Sequence, residues 1–186
     1  MGKIILITGG ARSGKSRFAE TLLKNKNDVL FIATGIPFDS EMKDRISKHR
    51  ERRNKKWITA EAYKGLEKII NDNTKNISYI LLDCVTLMIN NLMLVDNNID
   101  WNTAGPEEID KLENSVISEI DGLLRAGRNF TGRTLIVTNE LGMGIVPAEP
   151  LGRHYRDIAG RANQTIADAA DKVYLLVSGI PVIIKG

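Results

Sequence analysis

Gly9-Gly10-Ala11-Arg12-Ser13-Gly14-Lys15-Ser16 fits the pattern G-x-x-x-x-G-K-[ST] without a mismatch. Glycines let a backbone curl around phosphate oxygens, and loop amides plus a helix N-terminus supply the positive field that holds them. Lys15 is placed to neutralise the outer phosphates of a nucleoside triphosphate such as ATP or GTP, and the Ser16 hydroxyl to ligate Mg²⁺. A second metal-supporting group is Asp83, which closes the apolar run Ile80-Leu81-Leu82. An acid at the end of a buried strand is a weak signal alone and a stronger one beside such a loop. His49 is the third candidate. It sits within Lys43–Lys56, where eight basic residues face only Asp44 and Glu51. Neighbouring cations disfavour a second positive charge and so keep an imidazole neutral and nucleophilic. The same cations would stabilise charge on an attacked phosphorus, so His49 reads as a covalent catalyst of nucleotidyl transfer. The edge of a helix's apolar face is the plainer reading of the same position. His154, near Arg153 and Arg156, is the alternative imidazole, which a surface helix position explains equally well.

These groups need a scaffold that brings them to one place. Apolar runs predict strands at about 3–8, 28–33, 79–83, 133–138 and 173–177. Helices are predicted near 15–25, 40–53, 63–72, 86–95, 106–126 and 155–169, the fifth opening on Pro106-Glu107-Glu108. Alternation of this kind predicts an α/β fold with a mostly parallel sheet and helices on both faces. Two apolar runs around Ser178-Gly179 predict an antiparallel edge hairpin at the C-terminus. Ligands of such sheets gather beyond the carboxyl ends of the strands. That edge would carry the glycine loop, Thr34-Gly35, Asp83 and Asn139-Glu140. Asp96-Asn97-Asn98 and the stretch Gly142–Pro150 read as loops.

Composition sets the outer limits. A chain of 186 residues, 42% hydrophobic, suits one domain spanning 1–186. The single Cys84 has no partner for a disulfide and reads as a small buried residue after a strand, favouring a reducing compartment. No stretch is long and apolar enough to span a membrane, the first strand leaves no room for a signal peptide, and Leu6 spoils an acylation signal, so a cytoplasmic location is expected. The formal charge of +3 is unevenly spread: Lys43–Lys56 carries +6 and the rest of the chain −3. A positive segment of this kind faces an anion or is a solvated helix face. Gly142-x-Gly144 is no dinucleotide fingerprint, because Pro147 stands where a third glycine belongs, and no spacing suits zinc.

Longer strings add a resemblance. Lys48-His49-Arg50 through Trp57-Ile58-Thr59-Ala60-Glu61, Leu82-Asp83-Cys84-Val85-Thr86 and Val137-Thr138-Asn139-Glu140-Leu141-Gly142-Met143-Gly144-Ile145-Val146-Pro147 follow the glycine loop in order. Leu151-Gly152-Arg153, Tyr155-Arg156-Asp157, Gly160-Arg161-Ala162-Asn163-Gln164, Ala170-Asp171 and Val177-Ser178-Gly179 complete the set. Over essentially its whole length the chain resembles the bifunctional adenosylcobinamide kinase/adenosylcobinamide-phosphate guanylyltransferase family of cobalamin assembly. The resemblance implies a RecA-like P-loop NTPase fold, a homotrimer and two reactions. A triphosphate phosphorylates the aminopropanol hydroxyl of adenosylcobinamide; GTP then guanylylates a histidine, which passes GMP to adenosylcobinamide phosphate. His49 matches the guanylylated position. By the same matching, nucleotide contacts fall on Gly9, Gly10, Ala11, Arg12, Ser13, Gly14, Lys15, Ser16, Thr34, Gly35, Ile36, Arg50, Glu51, Arg52, Arg53, Glu61 and Asp83. This chain has Lys48 where some members carry a second histidine, and Asn54 where a proline is common. Phe38, Trp101 and the loop Gly142–Pro150 are candidates for corrin contact, while Trp57 and Tyr155 fit a core equally well.

Three other readings use the same residues. A generic small-molecule kinase needs everything but the histidine. A RecA-like nucleic-acid ATPase would grip backbone phosphates with Lys43–Lys56, but the 5% aromatic content supplies no stacking surface, so no nucleic-acid partner is expected. A nucleotide-binding regulator would bind GTP without turnover.

Overall fold

The computed structural model describes residues 1–36 and 53–186. Of the helix expected over 40–53 only Arg53 falls within that range; Phe38, His49, Arg50, Glu51 and Arg52 lie outside the described residues. The described strands are β1 (Lys3–Gly9), β2 (Val29–Ala33), β3 (Ile58–Glu61), β4 (Tyr79–Asp83), β5 (Arg133–Val137), β6 (Lys172–Val177) and β7 (Ile180–Lys185). The described helices are α1 (Lys15–Leu22), α2 (Leu66–Asn73), α3 (Val85–Leu94), α4 (Pro106–Asn129) and α5 (Pro150–Ala169).

All seven strands join one sheet in the order β3-β2-β4-β5-β1-β6-β7. Every neighbouring pair is parallel except β6–β7, the expected antiparallel edge hairpin. Successive strand residues point to opposite faces, which sorts the core into two clusters. Ile4, Leu6, Leu30, Ile32, Ile80, Leu82 and Ile136 meet the apolar stripes of α2–α5 on one face. On the other, Ile7, Val29, Phe31, Leu81, Leu135 and Val137 meet Ala19 and Leu23, from α1 and its C-cap. Buried on both sides, the central strands read as unbroken apolar runs, which is why they were legible in the sequence.

Helix α1 ends at Leu22 and α4 at Asn129, against the expected 25 and 126, and three elements differ in ways that have a structural cause. Strand β3 was not anticipated: Ile58–Glu61 is four residues long, and its conformation comes from its register on β2, from Leu30 opposite Ile58 to Ala33 opposite Glu61. Trp57 fixes the entry to β3, stacking on Phe31 at 6.2 Å and donating Nε1–H to the Lys26 carbonyl at 2.7 Å. Helix α2 starts at Leu66, not 63, because Gly65 is left-handed (φ 68°). Its first amides are capped by the Glu119 carboxylate, which accepts from Gly65 N (3.1 Å) and Leu66 N (2.7 Å). Helix α5 starts at Pro150, five residues before the expected 155, with proline in the first turn where its missing N–H is harmless.

Candidate active site

The glycine loop leaves β1 and returns as α1 in the arrangement the motif demands. Gly14, the N-cap of α1, is left-handed (φ 95°), a conformation that a side chain would strain. Among the described residues no side chain caps α1, and no acid lies in its first turn. Its first amides therefore remain as an anion site. Lys15 is buried at 7% exposure, and its ammonium donates to the Gly10 carbonyl at 2.6 Å inside the loop. With a second contact to the Ser13 hydroxyl at 3.4 Å, that bond holds the charge within the loop rather than in solvent.

Two neighbours brace the loop from outside. On one side the Glu140 amide donates to the Gly9 carbonyl at 2.9 Å. On the other, the β6–β7 turn reaches in: Gly179 N donates to the Ser13 carbonyl at 2.9 Å. A Cβ on Gly14 would lie 3.2 Å from the Gly179 Cα, so Gly14 needs glycine for this close approach, while Gly179 needs it for its left-handed φ of 84°. The sequence indicated the hairpin but not its contact with the loop.

The sheet register places the acids. Glu61, Ala33, Asp83, Val137 and Ile7 form one row across β3, β2, β4, β5 and β1. Residues in one row share a face, and Ile7 and Val137 pack with α1, so Asp83 and Glu61 belong to the face from which α1 rises. Strand β5 lies between the loop strand and the Asp83 strand, a separation of about 10 Å. Lys15 and Asp83 both act on the Cys84 thiol: burial first, then the Asp83 carboxylate, pushes it up to about 11, while Lys15 pulls it down. Cys84 is thus a buried, protonated thiol, as its position after a strand suggested.

Beneath this row is a polar network the sequence did not disclose. The Thr34 hydroxyl donates to the Cys84 carbonyl (2.7 Å) and accepts from Cys84 N (2.8 Å). Thr34 N donates to the Asp83 carbonyl at 3.3 Å, and Asn91 Nδ2 donates to the Thr34 carbonyl at 2.6 Å. With 1% exposure, Thr34 faces inward, so its polar groups secure Asp83 from behind. Asn139 Nδ2 donates to Thr86 Oγ1 at 2.6 Å, and Asn163 bridges the Thr138 hydroxyl (2.7 Å) and the Asn139 carbonyl (3.0 Å). The Tyr155 hydroxyl donates to the Thr86 carbonyl at 3.0 Å; burial, then Cys84, pushes its ionisation up to about 12. Tyr155 is therefore a packing and anchoring residue.

The remaining candidates are dispersed. Arg53 lays its guanidinium 3.6 Å from the centre of the Phe31 ring and donates to Thr59 Oγ1. Gly35 and Ile36 follow β2, half-buried at the same sheet edge. Arg12, exposed and left-handed (φ 56°), and exposed Gly10 and Ala11 form the outer turn of the loop. His154 lies on α5 with its ring 6.3 Å from Trp101, which itself packs on the larger core. A divalent cation would draw on the Ser16 hydroxyl and the Asp83 carboxylate. A hydroxyl and a single carboxylate, both hard oxygen donors, suit Mg²⁺ completed by phosphates and water, and among the described residues no group of three or more His, Cys, Asp or Glu gathers.

Residues 5–184 match the model of the family described as cobinamide kinase / cobinamide phosphate guanyltransferase. The bifunctional adenosylcobalamin biosynthesis protein CobU of Escherichia coli K12 is 46% identical over 184 residues, covering 98% of this chain and 99% of that protein. Its namesake from Salmonella typhimurium LT2 is 45% identical over 98% of this chain and 99% of its own length. The bifunctional adenosylcobalamin biosynthesis protein CobP of Pseudomonas aeruginosa PAO1 is 38% identical, with 97% and 96% covered. With a bracketed phosphate loop, an acid on the correct sheet face and a match along its whole length, this chain belongs to the cobinamide kinase / cobinamide phosphate guanyltransferase family.

Proposed function

We propose that this protein phosphorylates adenosylcobinamide with a nucleoside triphosphate and then transfers GMP from GTP to adenosylcobinamide phosphate through a guanylylated His49, giving adenosylcobinamide-GDP. The observation that carries the reading is the full-length family match, joined to a phosphate loop with a buried Lys15.

The chain's own residues divide the work. Loop amides and the α1 N-terminus hold the phosphate oxygens, and Lys15 offsets their charge. Ser16 and Asp83 would hold Mg²⁺, which when bound supplies further neutralisation of the phosphates. In the transferase reaction an imidazole nitrogen of His49 forms a bond to the α-phosphorus as the α–β bridging bond breaks and pyrophosphate leaves. A phosphate oxygen of the acceptor then attacks the same phosphorus and the P–N bond breaks, restoring neutral histidine. In the kinase reaction the acceptor hydroxyl attacks the γ-phosphorus instead; the β–γ bridging bond breaks, the nucleoside diphosphate leaves and the hydroxyl proton passes to solvent, so the nucleotide presents a different phosphorus to the acceptor in each reaction.

Three further parts complete the reading. Val182, Ile183 and Ile184 on edge strand β7 are 45–58% exposed, a strip that suits burial between subunits of a homotrimer. GTP serves the transferase step, with ATP or GTP serving the kinase step. The buried thiol of Cys84 suits the reducing cytoplasm, and among the described residues no helix is long and apolar enough to cross a membrane.

The deciding experiment uses α-labelled GTP. Wild-type protein takes up acid-labile, base-stable label without acceptor and releases it to adenosylcobinamide phosphate. His49→Ala loses the labelling and keeps a measurable fraction of kinase turnover. Label surviving that substitution removes His49 from the mechanism; no label on wild-type protein reduces the reading to a plain kinase.

A further inference from the structure

The segment Gly142–Pro147 combines three properties. It follows β5, the strand between the loop strand and the Asp83 strand, and so emerges at the centre of the catalytic edge. It is pinned at both ends. Glu140 ties the start to Gly9 through its amide, while its carboxylate accepts from Gly142 N at 2.5 Å. Arg153 on α5 holds the far end through the Pro147 and Ala148 carbonyls, and a Cβ on Gly152 would approach Pro147 Cβ to 2.8 Å. Between these anchors the chain displays apolar side chains to solvent: Met143 is 82% exposed, Ile145 96% and Val146 57%.

Such exposure is unfavourable unless something covers it. From Gly142 to Pro147 the side chains carry no charge, hydroxyl or amide, so the segment offers shape and apolar contact only. A nucleotide's phosphates need the opposite, and the loop amides and Lys15 already provide it. What must approach this edge from outside is the acceptor. On the function proposed above, on which this inference rests, the acceptor is a corrin macrocycle whose rim presents methyl groups between its amide arms. Its reacting hydroxyl hangs from a short arm. We propose that Met143, Ile145 and Val146 form an apolar lip that seats the macrocycle of cobinamide and so aims that arm at the bound nucleotide. The strip on β7 differs in kind: it carries a free strand edge that suits a second copy of the chain. The lip has no strand edge and is tied to the phosphate loop itself.

The test compares wild type with Met143→Ser/Ile145→Ser and with the apolar control Met143→Leu/Ile145→Leu, using adenosylcobinamide as varied substrate. Loss of two apolar contacts raises the KM for adenosylcobinamide about tenfold or more. The Leu control stays within threefold of wild type, as do the KM for GTP and acceptor-free guanylylation of the serine variant. Direct titration of adenosylcobinamide, followed by its visible absorbance, reads the same loss without turnover. Because these side chains are already in water, folding of the serine variant is expected to be normal; should it fail, Ile145→Ala alone carries the test with about a threefold rise. An unchanged KM and titration overturn the lip. A reduced assembly mass by light scattering also overturns it, assigning the face to a second copy. If wild-type protein turns over GTP but never cobinamide, the functional reading falls and the lip with it; normal cobinamide turnover with an insensitive lip sinks only the present inference.

Discussion

Replacing Thr34 by valine removes one oxygen atom and tests how the site is held. The hydroxyl lies 2.7 Å from the Cys84 carbonyl and 2.8 Å from its amide, in a position with 1% exposure. Valine has the same shape, so no cavity forms. The effect is a Cys84 amide left without its Thr34 partner where water does not reach, and a Cys84 carbonyl left with only the Met88 amide, which donates to it at 3.1 Å. The unsatisfied amide costs about 1–3 kcal/mol and the lost bond to the carbonyl about 1 kcal/mol, while valine recovers about 1 kcal/mol by not burying a hydroxyl. The net destabilisation is about 1–3 kcal/mol, equal to a fall in Tm of roughly 2–12 °C for a chain of this size. Thr34→Ser keeps the oxygen and loses one methyl, so it falls by about 1 kcal/mol. Urea melts of the three proteins at pH 7 measure these differences. The site should respond beyond stability, because Thr34 N also donates to the Asp83 carbonyl. Mg²⁺-dependent nucleotide affinity, read by calorimetry well below the melting point, should fall at least about tenfold in the valine variant and stay near wild type in the serine variant. A valine variant as stable as the serine one refutes the argument that this hydroxyl secures the end of β4.

Two more perturbations address charge. Lys15→Met takes away the ammonium that the loop already holds against the Gly10 carbonyl; triphosphate affinity should drop about a hundredfold or more, measured by calorimetry, with the fold intact by circular dichroism. In alkali, ionisation of Cys84 should erode stability. Its folded pKa of about 11 exceeds the ordinary 9.0, so the neutral thiol favours folding fully below pH 9, and that contribution is lost as pH rises from about 9 to about 11. Tyr155, pushed from 10.0 to about 12, adds a second loss between those values. Urea midpoints across this range should decline for wild type and less steeply for Cys84→Ala; parallel curves would remove the thiol from the account.

What was legible in the sequence was what is local in the chain. Strand, glycine run and helix adjoin from Lys3 to Leu22, so the phosphate loop could be read together with its context. Asp83 ended an apolar run, and Pro106 with two glutamates announced the start of α4. The features that escaped are those in which partners are far apart. The Thr34–Cys84 bonds span 50 residues, Asn91 to Thr34 spans 57, and Asn139 to Thr86 spans 53. A threonine or asparagine in an apolar stretch gives no sign of which carbonyl it will meet. The cap of α2 comes from Glu119, more than 50 residues away, so the helix start shifted against a local reading. Strand β3 exists because β2 offers it a free edge, a property of the sheet rather than of Ile58–Glu61. Pro150 was the one missed signal in plain view: a proline opening a helix, masked by the glycines on either side.

Strand order explains why the polar network sits where it does. Placing β5 between β1 and β4 puts the segment Thr138-Asn139-Glu140 in the gap between the phosphate loop and Asp83. Each residue there is tied in a different direction: Thr138 to Asn163 on α5, Asn139 to Thr86 on α3, Glu140 to Gly9 in the loop. The three ties fix the spacing between the phosphate loop and the Asp83 strand. They also anchor the root of the apolar lip to the same frame. A shift of β5 would therefore move the phosphate site and the acceptor seat together, which is the coupling that an enzyme delivering one acceptor to two phosphorus atoms requires.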